Sequence, residues 1–346
     1  MERMRVVHIS LHVAVCTLAT LLLCVCLAGC ESTGMGEFGS SRDTSALWNQ
    51  QVPEGGGAIL IMGDDSSRFW KTYQFDAGGT LVASESFNSD GGTWSVSYYH
   101  YDQGRLSSVT GSCEGGGPNT ERSFETTYSY HDDGSLNVSR REDGTLTMTK
   151  SYDAAGRIVE SNAVTSNDRE TFEYDDQGRQ TAHWHYGSHG DEIDWPSSQT
   201  YEYGTDDQGD FERTYYYDRD TQQPDSCCTN WLDSEGRVVR SVRSTLRDDG
   251  TWALDGSSIE TCTYDETVEY YPNTNKVSSR TKTRDSSDPA SAESSTTIYD
   301  EQGFPVSYAR TAYGKTHTTL ATYRGNVPAG FLDDGLDAPK APSILD

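Results

Sequence analysis

The chain has 346 residues, with 54 Asp and Glu against 27 Lys and Arg and a formal net charge of -27. Such a surface repels phosphate over most of its area and excludes a nucleic-acid binder working by counterion release. Downstream of residue 29 only 43 of 317 residues are Leu, Ile, Val or Phe, a composition typical of disorder, yet the same stretch holds all 21 Tyr and 7 Trp. Amphipathic rings bury large areas while their OH and NH groups find partners, so a tyrosine-built fold is open to this chain.

Arg3 and Arg5 precede an apolar run from Val13 to Leu27. The run is short for a membrane span and right for a signal h-region. It ends in Leu27-Ala28-Gly29-Cys30. Small residues before a cleavage point fit an extended strand into a peptidase, and the Cys behind them offers a thiol. These four positions resemble the lipobox of bacterial lipoproteins. The resemblance implies removal of residues 1–29 and lipidation of Cys30. The mature charge becomes -28, because Arg3, Arg5 and Glu2 leave with the signal. At about 0.8 kcal/mol per buried CH2, two or more acyl chains hold a protein on a membrane. The expected location is a lipid-anchored one at the cell membrane, facing outside the cytoplasm at the outer surface or in the periplasm. Glu31 differs from the Asp that retains some lipoproteins on an inner membrane.

Residues 30–52 are rich in Ser, Gly and Thr without any period and read as a flexible tether. Residues 53–324 read as a β-hairpin repeat domain, and 325–346, with three of the ten prolines, as a disordered tail.

The repeated phrase in the middle is an aromatic, Asp, two spacers, Gly, a polar residue and often an apolar one. It occurs as Phe75-Asp76-Ala77-Gly78-Gly79-Thr80-Leu81, as Tyr130 to Leu136, as Tyr152-Asp153-Ala154-Ala155-Gly156-Arg157-Ile158, and as Tyr174-Asp175-Asp176-Gln177-Gly178-Arg179. Tyr101 to Leu106 is one residue short, and Leu232 to Val238 and Tyr299 to Phe304 are looser copies. Asp favours the first position of a type I turn, and Gly supplies the left-handed residue that closes a hairpin. The flanks alternate as half-buried strands do: Trp94, Val96 and Tyr98; Phe124, Thr126, Tyr128 and Tyr130; Ala182, Trp184 and Tyr186. No stretch carries a sustained helical period. The fold class read from this is all-β, an extended or curled antiparallel sheet of repeated hairpins.

The Tyr-Asp-x-x-Gly-Arg-aliphatic phrase resembles the YD repeats of the Rhs family, over roughly residues 69–308. That resemblance implies a β-repeat surface protein of bacteria. The spacing is irregular and no toxin domain follows, so encapsulation is not carried over.

Cys113, Cys227, Cys228 and Cys262 remain after the signal and Cys30 are set aside. Outside the cytoplasm an even number suggests two disulfides, with Cys227 and Cys228 each pairing with Cys113 or Cys262. His183, His185, His189 and Asp191 have ligand character for zinc or copper. The alternation instead reads His183 and His185 as solvent-facing opposite Ala182, Trp184 and Tyr186, so no metal or other cofactor is expected. The acidic pairs Asp132-Asp133, Asp206-Asp207 with Asp210, and Asp248-Asp249 lack a spaced calcium loop. No Gly-x-Ser-x-Gly, His-Glu-x-x-His or phosphate-cradling loop is present, so no catalytic residue is assigned.

The expected function is a non-enzymatic β-repeat scaffold for protein interaction, anchored by lipid. The alternatives are a carbohydrate-binding module using Trp94, Trp184, Trp195, Trp231 or Trp252, and, less favoured, a hydrolase of envelope glycan. The expected partners are the membrane, surface proteins and cell-wall glycans, and not nucleic acid.

Overall fold

The computed structural model describes residues 45–336 apart from 64–68, 89–91, 115–120, 188–191, 248–249 and 334. The chain divides into two units, Met1–Asp43 and Thr44–Asp346, and every described residue lies in the second. The signal, Cys30 and most of the tether fall outside the described residues, as do His189 and Asp191.

A short helix, α1 (Ala46–Asn49), precedes twenty strands. The first seven are β1 (Gly57–Gly63), β2 (Phe69–Phe75), β3 (Leu81–Asn88), β4 (Thr93–Asp102), β5 (Arg105–Glu114), β6 (Arg122–Tyr130) and β7 (Leu136–Glu142). Then come β8 (Thr145–Tyr152), β9 (Ile158–Ala163), β10 (Asp168–Tyr174), β11 (Gln180–Tyr186), β12 (Gln199–Asp206), β13 (Gly209–Tyr217) and β14 (Pro224–Leu232). The last six are β15 (Val238–Leu246), β16 (Trp252–Tyr270), β17 (Val277–Ser286), β18 (Glu293–Tyr299), β19 (Pro305–Ala312) and β20 (Lys315–Gly325).

Each strand pairs antiparallel with its neighbours in sequence, and β20 returns to β1, with Gly57 opposite Gly325 and Met62 opposite Leu320. The sheet is therefore a closed up-and-down barrel. This corrects the expected extended or curled sheet. An open sheet leaves two rows of unpaired N–H and C=O groups, whereas an even number of antiparallel strands can satisfy both edges on each other.

Register sorts the side chains onto two faces. One carries Trp70, Trp94, Trp184, Trp231 and Trp252, and is called the indole face. The other carries Tyr73, Tyr99, Tyr128, Tyr152, Tyr201, Tyr216, Tyr308 and Tyr323, and is called the tyrosine face. A cavity of about 690 Å³ and three of about 450–530 Å³ are lined chiefly by the tyrosine face, as expected of the concave side of a closed sheet.

The described residues past Gly325, 326–333 and 335–336, are packed on the barrel, and 337–346 of the expected tail lie outside the described residues. The Asn326 N–H donates to Gly56 O at 2.9 Å. Val327, Leu332 and Leu336 then pack with Ile59, Ile61, Phe75, Leu81 and Ala321 into the main apolar cluster. Phe331 meets Phe75 edge-on at 4.7 Å. The cause is β1, Gly-Ala-Ile-Leu-Ile-Met-Gly, whose inward Ile59 and Ile61 need an apolar cover that a charged neighbour cannot give. Residues 326–333 with 335 and 336 thus form a strap across the tyrosine face.

The end of the tether is fixed as well, on the opposite face. Ser45 caps α1 by accepting from the Trp48 N–H, and Leu47 is buried. Buried Glu85 on β3 accepts from the Ser45 hydroxyl at 2.7 Å, the Leu47 N–H at 2.8 Å and the Trp94 indole N–H at 2.9 Å. Gln74 donates to Leu47 O at 2.8 Å.

Candidate functional site

The aromatic-Asp phrases all fall at one rim of the barrel, in the turns that lead from an even-numbered strand to the next odd one. In the turns starting at Asp76, Asp153, Asp175, Asp233 and Asp300 the Asp N–H donates to the carbonyl four residues on, and the Gly three residues on donates to the Asp carbonyl. The Asp Oδ1 accepts two further backbone N–H groups, at 2.8–3.0 Å. Gly156 has φ 78° and Gly178 φ 82°, a region closed to most L residues. The short copy at Tyr101 is a two-residue turn instead, with Gln103 at φ 50° and Gly104 at φ 83°.

The role of the aromatic residue was not legible beforehand. Tyr101, Tyr130, Tyr174, Tyr203, Tyr264 and Tyr323 each donate the phenol to a backbone carbonyl at the start of the preceding strand: Leu81, Leu106, Ile158, Gln180, Val238 and Pro305. The distances run from 2.6 to 3.0 Å. Arg157, Arg179 and Arg237 pair with their own turn Asp at 2.6–2.8 Å. Each guanidinium also lies over the next clasping ring, Tyr174, Tyr203 or Tyr264, at 4.5–4.8 Å from its centroid. At these three turns Asp, Arg and Tyr therefore link one hairpin to the next.

Electrostatics fit this assignment. Hydrogen bonds from the Arg237 backbone and side chain hold the Asp233 carboxyl below the usual range, against burial. At Asp153 and Asp175 burial pushes upward, and the Arg side chain and backbone N–H groups outweigh it, so both lie low. Burial, with neighbouring tyrosines, pushes Tyr101 and Tyr128 up to about 12. The phenols remain donors well into alkaline solution.

The four cysteines are free. Cys113 is on β5, Cys262 on β16, and adjacent Cys227 and Cys228 point to opposite faces of β14. Strand β15 stands between β14 and β16. Two strand spacings of about 4.8 Å exceed the Cα separation a disulfide spans. The expected pairs are therefore not formed in this structure. Cys262 instead accepts from Arg284 at 3.1 Å, beside Glu260.

His183 and His185 are on the tyrosine face rather than turned to solvent. The ladder sets them against carboxylates of β10 that the sequence pattern did not reveal. His183 Nε2 lies 3.3 Å from Glu170 Oε1, and His185 Nε2 lies 2.7 Å from Asp168 Oδ1. The approaches are close but off the N–H axis, so His183 Nε2 and Asp168 Oδ1 lack a directed hydrogen bond. Among the described residues no three His, Cys, Asp or Glu side chains are arranged to hold a metal ion.

The indoles are largely committed to the fold. Trp70 and Trp231 are buried, and the N–H groups of Trp94, Trp184 and Trp231 donate to Glu85, Glu173 and Asp206. Trp252 is 42% exposed but tilted 52° against Tyr215. A sugar platform wants coplanar exposed rings, and these do not form one. The cavity of about 690 Å³, lined by Phe69, Lys71, Trp94, Cys113, Arg122 and Glu142 among others, holds an Arg122–Glu142 pair at 3.4 Å.

No protein-family model matches the chain, and no curated protein matches it by sequence. Among solved structures it is similar to a porin-like protein from Bacteroides uniformis, with 14% identity over 78% of this chain and 95% of that one, at a TM-score of 0.26. It is also similar to a chain of the TcdB2-TccC3-Cdc42 structure, with 13% identity and a TM-score of 0.20. There it covers 78% of this chain but spans only 17% of the other. At TM-scores this low neither likeness bears on what the chain does.

Proposed function

We propose that the chain is a water-soluble barrel of YD-repeat type, held outside the cytoplasm by lipid on Cys30, that serves as a non-enzymatic scaffold for protein interaction. The observation that carries this reading is charge on both faces of the closed sheet. The indole face bears Glu125, Glu160, Glu202, Arg213 and Arg240, and the tyrosine face bears Lys150, Glu170, Glu212, Lys282 and Arg310. A membrane-spanning barrel needs one continuous apolar face, because each Arg or Lys at mid-bilayer costs about 2–4 kcal/mol. Neither face here supplies it. Attachment to the membrane is therefore left to the lipid.

The protein-interaction part rests on a local apolar patch of the indole face. Leu246 and Trp252 are paired across β15 and β16, with Leu254 and Ile259 beside them, the last two 63% and 47% exposed. Clusters of this kind mark docking surfaces more often than scattered single residues do.

The test is phase partition. The chain beginning after Cys30, purified without detergent, should stay monodisperse in the aqueous phase, while the full chain should move to the detergent phase only when Cys30 is intact. Partition of the chain lacking Cys30 into detergent, with ion conductance across planar bilayers, would replace the scaffold by a pore.

A further inference from the structure

We propose that the indole face of β18, β19, β20 and β1 is the side on which the barrel rests against an anionic phospholipid bilayer. The inference deepens the reading above and rests on the lipid at Cys30, which supplies attachment but not orientation. Strands β17 to β20 place Arg280, Lys282, Arg284, Glu293, Arg310 and Lys315 on the tyrosine face. From Ser294 on β18 to Thr322 on β20, the indole face carries only Ser, Thr, Ala, Ile and Leu. Leu60 and Met62 continue it on β1. Charge returns at the borders, with Asp285 on β17 and Glu269 on β16 to one side and buried Glu85 on β3 to the other.

Within this sector Ile298, Ser307, Leu320, Met62 and Trp70 are successive cross-strand partners, in a row that crosses the joint closing the barrel. Ile298, Leu320 and Met62 are 46%, 41% and 47% exposed. From Ile298 to Met62 the row runs three strand spacings, about 14 Å. The adjoining end of the face belongs to α1. Arg324 donates to Gln50 O and lies 4.3 Å over the Trp48 ring, and Ala58, Thr72 and Gln74 are buried. Glu85 holds Ser45 at the ladder level of Thr72 and Leu60, while Arg324 holds Trp48 at that of Ala58. Helix α1 therefore begins on the Met62 side of these strands.

The length of the tether brings this face to the lipid. Fourteen residues separate Cys30 from Ser45. A Gly- and Ser-rich chain of that length has a root-mean-square span of about 20 Å. Anionic lipids give a bilayer a negative surface potential that acts over about 8 Å at physiological salt. A chain of net charge -27 is repelled there wherever it presents carboxylates. Hydroxyl and aliphatic side chains meet no such repulsion, and Met62, Leu320 and Ile298 gain by leaving water. The neutral sector is thus the side of lowest energy toward the headgroups, and it is the side from which α1 starts.

Photolabelling tests this. The full chain is placed on vesicles of phosphatidylethanolamine and phosphatidylglycerol that contain a lipid with a diazirine near its headgroup, and labelled peptides are mapped by mass. Peptides from β18 to β20 and from β1 should carry about fivefold more label than those from β6 to β9. The chain beginning at Glu31, bound by an N-terminal His tag to chelating lipid, should give the same map. Loss of attachment at Cys30 and loss of orientation are therefore read separately. Leu320→Asp puts a charge into the row at an exposed site and should cut its label about fivefold. Val164→Asp, 39% exposed and across the barrel after β9, should leave the map unchanged. Uniform label around the barrel, or undiminished label in Leu320→Asp, would overturn the orientation. Crosslinks joining two copies through Leu320 would also overturn it and make the sector a dimer interface.

Discussion

At one rim of the barrel the turns after Phe75, Tyr152, Tyr174, Leu232 and Tyr299 repeat one hydrogen-bond pattern, with Asp-to-carbonyl distances of 2.9–3.0 Å. Among the described residues of the other rim that pattern gives way to several kinds of connection. Asp143-Gly144 and Tyr313-Gly314 are two-residue turns, Asp218 to Gln223 is a longer one, and a 3-10 turn at Trp195–Ser197 precedes β12. Both rims join the same kind of strands, so strand pairing does not explain the difference. The regular rim is where the tyrosine clasps run from hairpin to hairpin, and a clasp works only if Asp, Arg and Tyr keep their spacing within the turn. The spacing between turns is free, which is why the clasped residues lie 16 to 26 apart in sequence.

The largest test of this contrast is Phe75→Ala, at the regular rim. It removes a fully buried ring on which the strap rests and should cost about 4 kcal/mol in denaturant unfolding. Tyr313→Ala, 76% exposed at the irregular rim, should stay within about 0.5 kcal/mol. Equal losses would erase the distinction. Next comes Asp153→Ala, which strips partners from the Ala155 and Arg157 N–H groups and from the guanidinium, for about 2 kcal/mol. Asp288→Ala at the opposite rim frees one backbone N–H and a hydroxyl and should cost less than half as much.

Tyr174→Phe isolates a single clasp and should lower stability by about 1 kcal/mol, through the orphaned Ile158 carbonyl. A further effect is read by pH. Burial lifts Tyr101 and Tyr128 to about 12, above the ordinary phenol at about 10, so the folded state holds protons that the unfolded state has lost. Their contribution is full below pH 10 and disappears as pH rises toward 12. Absorbance of tyrosinate at 295 nm should show late-titrating phenols that join the ordinary class once the barrel is denatured. A single ordinary class in the native protein would contradict it.

Much of the regular rim was legible in the chain, because each aromatic-Asp-x-x-Gly phrase contains the atoms that close its own turn. Closure was not legible. The joint between β1 and β20 pairs Gly57 with Gly325, and neither strand begins with the repeated phrase. The strap was hidden for a related reason, since Phe331, Leu332 and Leu336 sit among Pro and Gly and acquire meaning only over Ile59 and Ile61. His183 and His185 could be seen, but Asp168 and Glu170 reach them through cross-strand register, which alternation on one strand does not encode. Placing the histidines toward solvent followed from treating one face as buried, when both faces of this sheet are partly covered.

The return of β20 to β1 also sets an order of events during folding. Nineteen of the twenty pairings join neighbours in sequence and can form as local hairpins, whereas the last must bring Gly57 and Gly325 together across nearly the whole domain. Ring closure is thus the slow step, and the contacts that stabilise it lie just outside the ring: Arg324 donating to Gln50 O at 2.8 Å, and the Asn326 N–H held by Gly56 O. A nascent chain would carry eighteen finished joints and two exposed edges until its final strand arrives, with those edges available to another copy for exchange. Pulse-labelled hydrogen exchange during refolding should find β1 and β20 protected last.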